Sequence, residues 1–406
     1  MPGKLHDGRS IHSPIPAPTL ATAAPLRIVV ASHTQRGGTW VVGSHHLARE
    51  WSRAGHEVLF ISAPMELRHA LGARDPLLGA SAPHQVEPRL REWAPTALVP
   101  WTLGAHLGVR LGQSLPGLAV GVARTLRRTG FASPDLLVVD HPLFCNLDKV
   151  VGAARFTYRA TDLYREMHDR RIVDAVERRL ISGADCVIAT SQPVAQRLHE
   201  LGAAHPIVIE NGADVAHFAN AAPRPPEYEG INAIRVVYAG AIDFRFDAEL
   251  AVRLARTRLD IDFVIIGSGP AGAAIAASPL RNLRLLGPRP YSLLPGYPQH
   301  AHAGLLPLND HPANVGRSPM KLFEYAAAGL PVLATRTPEL ARRTLPFVRF
   351  IDPRAPELTL DGLLRDRPLP DSEDLAAHDW SRIAQHVLAT AQGSGSKSRT
   401  DPDLNA

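Results

Sequence analysis

At 406 residues the chain is longer than one ordinary domain and fits two. Its composition, 45% hydrophobic and 20% charged, is globular, and two cysteines support neither a disulfide framework nor a CxxC metal site. A net charge of +5 with only 6% aromatic residues argues against nucleic acid as a partner; an acidic substrate or an anionic membrane surface explains the basic excess.

The N-terminal stretch, rich in Pro, Ala and Ser, lacks the apolar core of roughly 7–15 residues that a signal peptide needs. Residues 1–24 read as a disordered arm and residues 393–406, GSGSKSRTDPDLNA, as a disordered tail. No apolar run reaches the roughly 18–20 residues of a membrane span. With two cysteines and no disulfide framework, a reducing cytosol is the expected compartment, the protein being cytoplasmic or peripheral on the inner face of the plasma membrane.

Pro25 to Ser32, PLRIVVAS, is a short apolar run that reads as a buried parallel strand. A loop with Gly37 and Gly38 leads to a helix over Thr39 to Ala54, and Glu57 to Ile61 forms the next strand. From Arg89 to Arg128 apolar residues, Trp93 and Trp101 among them, are edged by arginines, with no formal charge between Glu92 and Arg110. That pattern suits a segment lying in a membrane interface; a pair of core helices with arginines facing water is the competing reading. Strands follow at Asp135 to Asp140, Arg155 to Ala160, Asp185 to Thr190 and Pro206 to Glu210, with helices over Arg170 to Ser182 and Gln192 to Gly202. Strand–helix alternation of this kind predicts a doubly wound parallel sheet over residues 25–210.

Residues 211–233, with Pro223, Pro225 and Pro226 close together, read as a linker. The alternation restarts over residues 234–370, and residues 371–392 form a last helix expected to pack back across the domains. The expected fold is thus α/β, two Rossmann-like doubly wound parallel-sheet domains facing a crevice.

The chemistry concentrates in LPLNDHPANVGRSPMKLFEYAAAGLPVLAT, Leu306 to Thr335. A strand ends near Leu308, a polar loop runs to Arg317, Ser318 and Pro319 suit the start of a helix, and Gly329 ends it. A helix N-terminus attracts anions, and Lys321 in the first turn makes sense if an anion lies beside it. Glu324 shares its helix face. A cation for a diphosphate next to a carboxylate for ribose hydroxyls is what holding a nucleotide diphosphate requires. On spacing alone, an i,i+3 surface ion pair explains the two residues equally well.

This stretch resembles the nucleotide-sugar site of GT-B glycosyltransferases: PMKLFEYAAAGLPV is similar to their Pro-x-Lys-x-x-Glu-Tyr-x-x-x-Gly-x-Pro-Val pattern. DCVIATS, IENGADVAHF, VVYAGAIDFRFD, FVIIGSG and LRLLGPRPY look like further segments of those enzymes, in the same order, so the resemblance runs over roughly Pro25 to Gln392. It implies a family 4-like enzyme moving a hexose or glucuronic acid from a UDP-sugar to a hydroxyl of a lipid-linked oligosaccharide or polysaccharide. Met320, Lys321, Leu322 and Glu324 would bind the donor, with Lys321 on the diphosphate and Glu324 on the ribose. Many relatives carry a second Glu eight residues before the first, where this chain has Gly316. The departure points away from the retaining branch with paired glutamates and toward the branch of the xanthan glucuronosyltransferase.

By the same resemblance Asp162, after the strand in YRATDLYRE, would be the catalytic base of an inverting reaction, although by position alone a helix N-cap is the commoner job. Arg245 would meet the diphosphate; Tyr291 is placed to meet the base edge, with a packing tyrosine an equal reading. His33 and Glu177 would lie toward the acceptor, Glu177 alternatively orienting Arg159 or being a solvated helix charge. Asp260 and Asp262 resemble a DxD motif by letters only and read as structural. No metal or other cofactor is expected, because helix N–H groups and cations take the leaving diphosphate in this fold. A non-hydrolysing epimerase and a silent glycan-binding partner share the same two-domain shape and stay open as alternatives.

Overall fold

The computed structural model describes residues 24–34, 41–66, 82–97, 118–230 and 234–393. The Gly37–Gly38 pair, residues 98–117 of the proposed membrane segment with Trp101 among them, and nearly all of both terminal arms lie outside the described residues.

The first domain is built on strands β1 (Arg27–Ala31), β2 (Glu57–Ile61), β3 (Met65–Glu66), β4 (His84–Glu87), β5 (Leu90–Trp93), β6 (Thr96–Ala97), β7 (Leu136–Val139), β8 (Arg155–Ala160), β9 (Cys186–Ala189) and β10 (Ile207–Val208). Eight of these form one sheet in the order β10-β9-β8-β7-β1-β2-β5-β4, parallel except for β4, which pairs antiparallel with β5 at one edge; β3 and β6 pair separately. The second domain carries β11 (Ile234–Ala239), β12 (Ile261–Ile266), β13 (Leu283–Gly287), β14 (Ala303–Leu306), β15 (Val332–Ala334) and β16 (Val348–Phe350), all parallel, in the order β13-β12-β11-β14-β15-β16. The helices of eight residues or more are α1 (Gly43–Arg53), α2 (Leu118–Thr129), α3 (Arg170–Gly183), α4 (Gln192–Glu200), α5 (Ala248–Thr257), α6 (Met320–Ala327), α7 (Pro356–Asp366) and α8 (Trp380–Gly393).

Both sheets have apolar residues on both faces, as parallel sheets covered by helices on two sides require. In β1, Val29 and Ala31 belong to one core cluster while Ile28 and Val30 belong to the other. The chain leaves β1 in one direction to β2 and β5 and returns on the other side at β7; in the second sheet the same reversal falls between β11 and β14. Ligands of open α/β sheets bind at such switch points, outside the strand carboxyl ends. Those ends are Ser32–His33 and Asp140–His141 in one domain, and Gly240 to Arg245 and Pro307 to Pro319 in the other.

Two expectations need correction. Arg89 to Trp93 is not helical: β5 occupies it, and Trp93 is buried in the core because the strand alternates its side chains between faces. The linker region also contains order of its own, a helical turn over Val215–Ala219 and a 3-10 turn over Pro226–Tyr228. The last helix, α8, packs on the first domain. Its Trp380, Ile383, Ala384 and Val387 join the cluster of Trp51, and the Trp51 indole N–H donates to the Ala384 carbonyl at 2.9 Å.

Candidate active site

The second domain presents cations. After β14 the loop is held by Asn314, whose amide donates to the carbonyls of Arg245 and Asn309, both at 3.0 Å. The helix start differs from the sequence expectation. Pro319 stands in the cap position of α6 and no side chain caps it. The Ser318 hydroxyl is instead taken by the hinge, accepting from the Asn211 N–H at 3.2 Å and from Arg343 at 3.3 Å. The first N–H groups of α6 therefore lack the usual hydroxyl partner.

Lys321 leaves the first turn of α6 and lies across Gly240, where an added Cβ would come within 1.9 Å of the lysine Cε. Glycine is required there twice over, because φ is +154°. The Lys321 ammonium sits 5.6 Å from the centre of the Tyr238 ring. Among the described residues no ion pair joins Lys321 to Glu324. The surface-pair reading fails, since Glu324 is buried, only 7% exposed. Burial raises the Glu324 carboxyl above its ordinary range, and burial together with Arg317 lowers the Lys321 ammonium. Met320 is half-buried against the first domain's core, and Leu322 is fully buried in the second domain's, so only the Leu322 backbone can face a ligand.

Arg245 spans the crevice. Its guanidinium pairs with Asp243 at 2.7 Å and reaches Asp162 of the first domain at 3.3 Å. Burial acts to raise the Asp243 carboxyl, but the hydrogen bonds and charge of Arg245 outweigh it and hold Asp243 below the usual range. Arg317 joins Arg245 and Lys321 as a third cation in the same space.

The first domain presents Asp162 two residues after β8, with no helix that it caps. Around it lie three imidazoles: His33 and His168 flank His141, with ring centres 4.7 and 5.9 Å from it. Burial lowers all three below the ordinary range, Asp162 opposing the effect at His33. Behind them Tyr164 donates its hydroxyl to the Asp140 carbonyl, and Ser44 donates to the Asp140 carboxylate. Burial pushes the Asp140 carboxyl up to about 7.

One residue lies elsewhere than expected. Glu177 is neither solvated nor beside Arg159: it is buried under β8 and accepts from the Tyr158 hydroxyl at 2.8 Å, while Arg159, the next residue along the strand, points to the opposite face. Burial pushes the Glu177 carboxyl up to about 7. Tyr291 stacks on His217, ring centres 4.7 Å apart at 18°, with its buried hydroxyl near the charge of Glu324. Asp260 and Asp262 take arginines, Arg258 and Arg284 respectively.

Sequence reasoning passed over Arg317, Asp243, Arg159 and Asn211. Arg159 donates to Asn211 at 2.7 Å, and Asn211 donates to the Ser318 carbonyl at 3.1 Å, which ties β8 to the start of α6. No motif marked Arg317, three residues before the first residue of α6, and Arg159 reads as an ordinary strand charge.

With an uncapped helix start, three cations and the carboxylates of Asp243 and Glu324 on one bank, and a carboxylate with imidazoles on the other, the crevice can hold a bound anion opposite a proton acceptor. Residues 41–217 match the model of Glycosyltransferase Family 4, and residues 235–355 match that of Glycosyl transferases group 1; together the two stretches take in most of the chain. TuaH of Bacillus subtilis, assigned by name as a glycosyltransferase of teichuronic acid biosynthesis, is 25% identical over 187 residues, covering 44% of this chain and 47% of its own. The chain thus matches about half the length of that relative. Among solved structures, Anabaena HepE in complex with UDP and glucose superposes with a TM-score of 0.66 at 15% identity, covering 91% of this chain and 100% of its own. The UDP-forming α,α-trehalose-phosphate synthase of Burkholderia vietnamiensis gives 0.55 at 15% identity, covering 91% and 98%. Family models in both halves and a shared two-sheet architecture converge: the chain belongs to the family 4-type glycosyltransferases and is a transferase of the GT-B fold.

Proposed function

We propose that the protein transfers a sugar from a UDP-sugar to a hydroxyl of a lipid-linked oligosaccharide or polysaccharide, with inversion at the anomeric carbon. The observation that carries this reading is the pairing across the crevice: Asp162 on one bank faces Arg245, with Lys321 and Glu324 beyond it. Glu324 suits the ribose hydroxyls, while Lys321, Arg245 and the start of α6 suit the diphosphate. Tyr291 on its His217 partner suits the base. The acceptor hydroxyl gives its proton to the Asp162 carboxylate as its oxygen bonds to the anomeric carbon. The bond from that carbon to the diphosphate oxygen breaks, and the electron pair leaves on the diphosphate, where the cations receive it. The step needs no metal, because those cations and helix N–H groups carry the leaving charge.

Gly316 favours the inverting reading over the paired-glutamate one. A side chain there would meet Leu163 and Val194 of the first domain at 3.1–3.2 Å, and the Gly316 carbonyl accepts from the Ser191 hydroxyl at 2.6 Å. The names of relatives support the substrate class: HepE was solved with UDP and glucose, and TuaH carries its teichuronic acid assignment. We place the protein in the cytoplasm, peripheral on the inner membrane face, from its basic excess and the lipid-linked acceptor; no helix among the described residues is long and apolar enough to cross a membrane. The test is incubation with a panel of nucleotide sugars, with and without membrane lipid extract. UDP release that rises with the extract is expected, and release from none of the panel contradicts the reading.

A further inference from the structure

We propose that the exposed ring of Phe244 is an acceptor subsite, a platform on which a pyranose ring of the acceptor glycan stacks, with His311 beside it to meet a sugar hydroxyl. This rests on the reading of the protein as a UDP-sugar transferase with a glycan acceptor. Phe244 lies in the loop after β11, between Asp243 and Arg245, and 46% of it is open to solvent. A single exposed apolar residue is ordinary by itself. The other large apolar residues exposed among those described are aliphatic, so Phe244 is the one that offers a flat aromatic face.

The backbone that presents this ring is tied down. The Phe244 carbonyl accepts from the Asn309 amide at 2.8 Å, and the Arg245 carbonyl accepts from the Asn309 backbone N–H at 3.1 Å and the Asn314 amide at 3.0 Å. These bonds join the loops after β11 and β14, both at strand carboxyl ends. The Arg245 guanidinium lies 5.5 Å from the centre of the Phe244 ring and reaches Asp162 at 3.3 Å. Ring and proposed base are therefore within the span of two sugar rings. The turn over Pro312–Asn314, next to His311, packs against the turn over Tyr164–Glu166, which follows Asp162. Glu324, on the donor side, is buried, whereas Phe244 stands open at the rim. The molecule that must cross that rim is the one that brings the attacking hydroxyl to Asp162.

The chemistry fits a sugar better than a lipid chain. The face of an aromatic ring is apolar and carries the negative part of its quadrupole, so the C–H groups on one face of a pyranose stack flat against it. His311 supplies the polar part. Its ring meets that of Phe244 with centres 4.7 Å apart and planes at 63°. Its Nδ1 accepts from the Ala313 N–H at 3.2 Å, so the ring proton is on Nε2, which has no hydrogen-bond partner among the described residues. A flat face with an N–H donor at its edge matches a ring with C–H groups on its face and hydroxyls around its rim. A lipid chain would gain nothing from that donor or from the charged Arg245 beside the ring.

The test is UDP release by the full chain, titrated with membrane lipid extract and with the UDP-sugar that the wild type turns over, in the wild type, Phe244→Ala, Phe244→Leu and Phe244→Tyr. Calorimetry with UDP accompanies it and reports an intact donor site. Alanine and leucine should each raise the half-saturating amount of extract roughly 5–30-fold, the range of a buried aromatic contact, with UDP affinity and the half-saturating donor unchanged. Tyrosine, which keeps the ring, should stay near the wild type. A leucine variant that behaves as the wild type would show that apolar area without a flat face suffices, as for a lipid chain, and overturn the proposal. Weaker UDP binding in Phe244→Ala would make the ring a support for Arg245, and a rise confined to the half-saturating donor would assign it to the transferred sugar; either overturns the proposal and leaves the UDP-sugar reading standing. Unchanged kinetics in all three variants would overturn it too. A wild type whose UDP release the extract does not stimulate would overturn the acceptor reading itself, and this proposal with it.

Discussion

Lys321 and Glu324 carry the donor half of the account, and burial makes their roles distinct. Neither neutralises the other at contact distance, and desolvation pushes both toward their uncharged forms. A bound nucleotide would reverse part of that cost: the diphosphate favours charged Lys321, and ribose hydroxyls can donate to Glu324. Lys321→Ala should weaken UDP binding by about 1.5–3 kcal/mol, the worth of a hydrogen bond to a charged group. Glu324→Ala should weaken it as well, with Asp162 untouched. Calorimetry with UDP decides, and unchanged affinity in both variants would remove the donor site from this helix. The letters Pro-x-Lys-x-x-Glu made these two residues legible before any coordinates. Arg317 was not legible, because an arginine before a helix start has many uses and only its lack of a partner in the folded crevice distinguishes it. Glu177 misled for the opposite reason: helix periodicity places it on a face, and only the packing of Tyr158 shows that face to be buried.

The segment from Gly316 to Ala327 shows how one element serves both domains. Its Ser318 was expected to cap α6 and instead bonds with Asn211 and Arg343, so the hinge rather than a local side chain positions the helix. Strands and helices were legible because apolar runs alternate with 3.6-residue periodicity and short turns. The cap was not, because local sequence cannot reveal a partner some hundred residues away. Asn211 is the joint of this arrangement, accepting from the buried Arg159 and donating to the Ser318 carbonyl. Asn211→Ala strands the Arg159 guanidinium, the rest of which is buried without hydrogen bonds. It should cost about 1–3 kcal/mol, the penalty for an unsatisfied buried group. Thermal unfolding measures it: a Tm several degrees lower is expected, and an unchanged Tm would show that the joint is not under load.

Two Rossmann-like sheets with switch points facing each other make the crevice, and the C-terminal helix α8 returns to the first domain, whose core it completes from beyond the second. The alternation of strands and helices was sufficient to foresee this architecture, and the 89–128 stretch was where it failed, since β5 follows strand rather than helix alternation there. What the two-domain arrangement accomplishes is to bring Asp162 of one sheet within 3.3 Å of Arg245 of the other. The carboxylate is thus placed opposite the cations that would receive the leaving group, as an in-line displacement requires. Asp162→Asn preserves the shape and removes the basicity, so it isolates the claim on which the rest depends. The decisive measurement is the rate of UDP release from the donor in the presence of acceptor, wild type against Asp162→Asn, with UDP binding checked in both. The account predicts intact UDP binding and turnover lower by about 10²–10⁴-fold, the usual share of general base catalysis; a variant that binds UDP and turns over at the wild-type rate would contradict it.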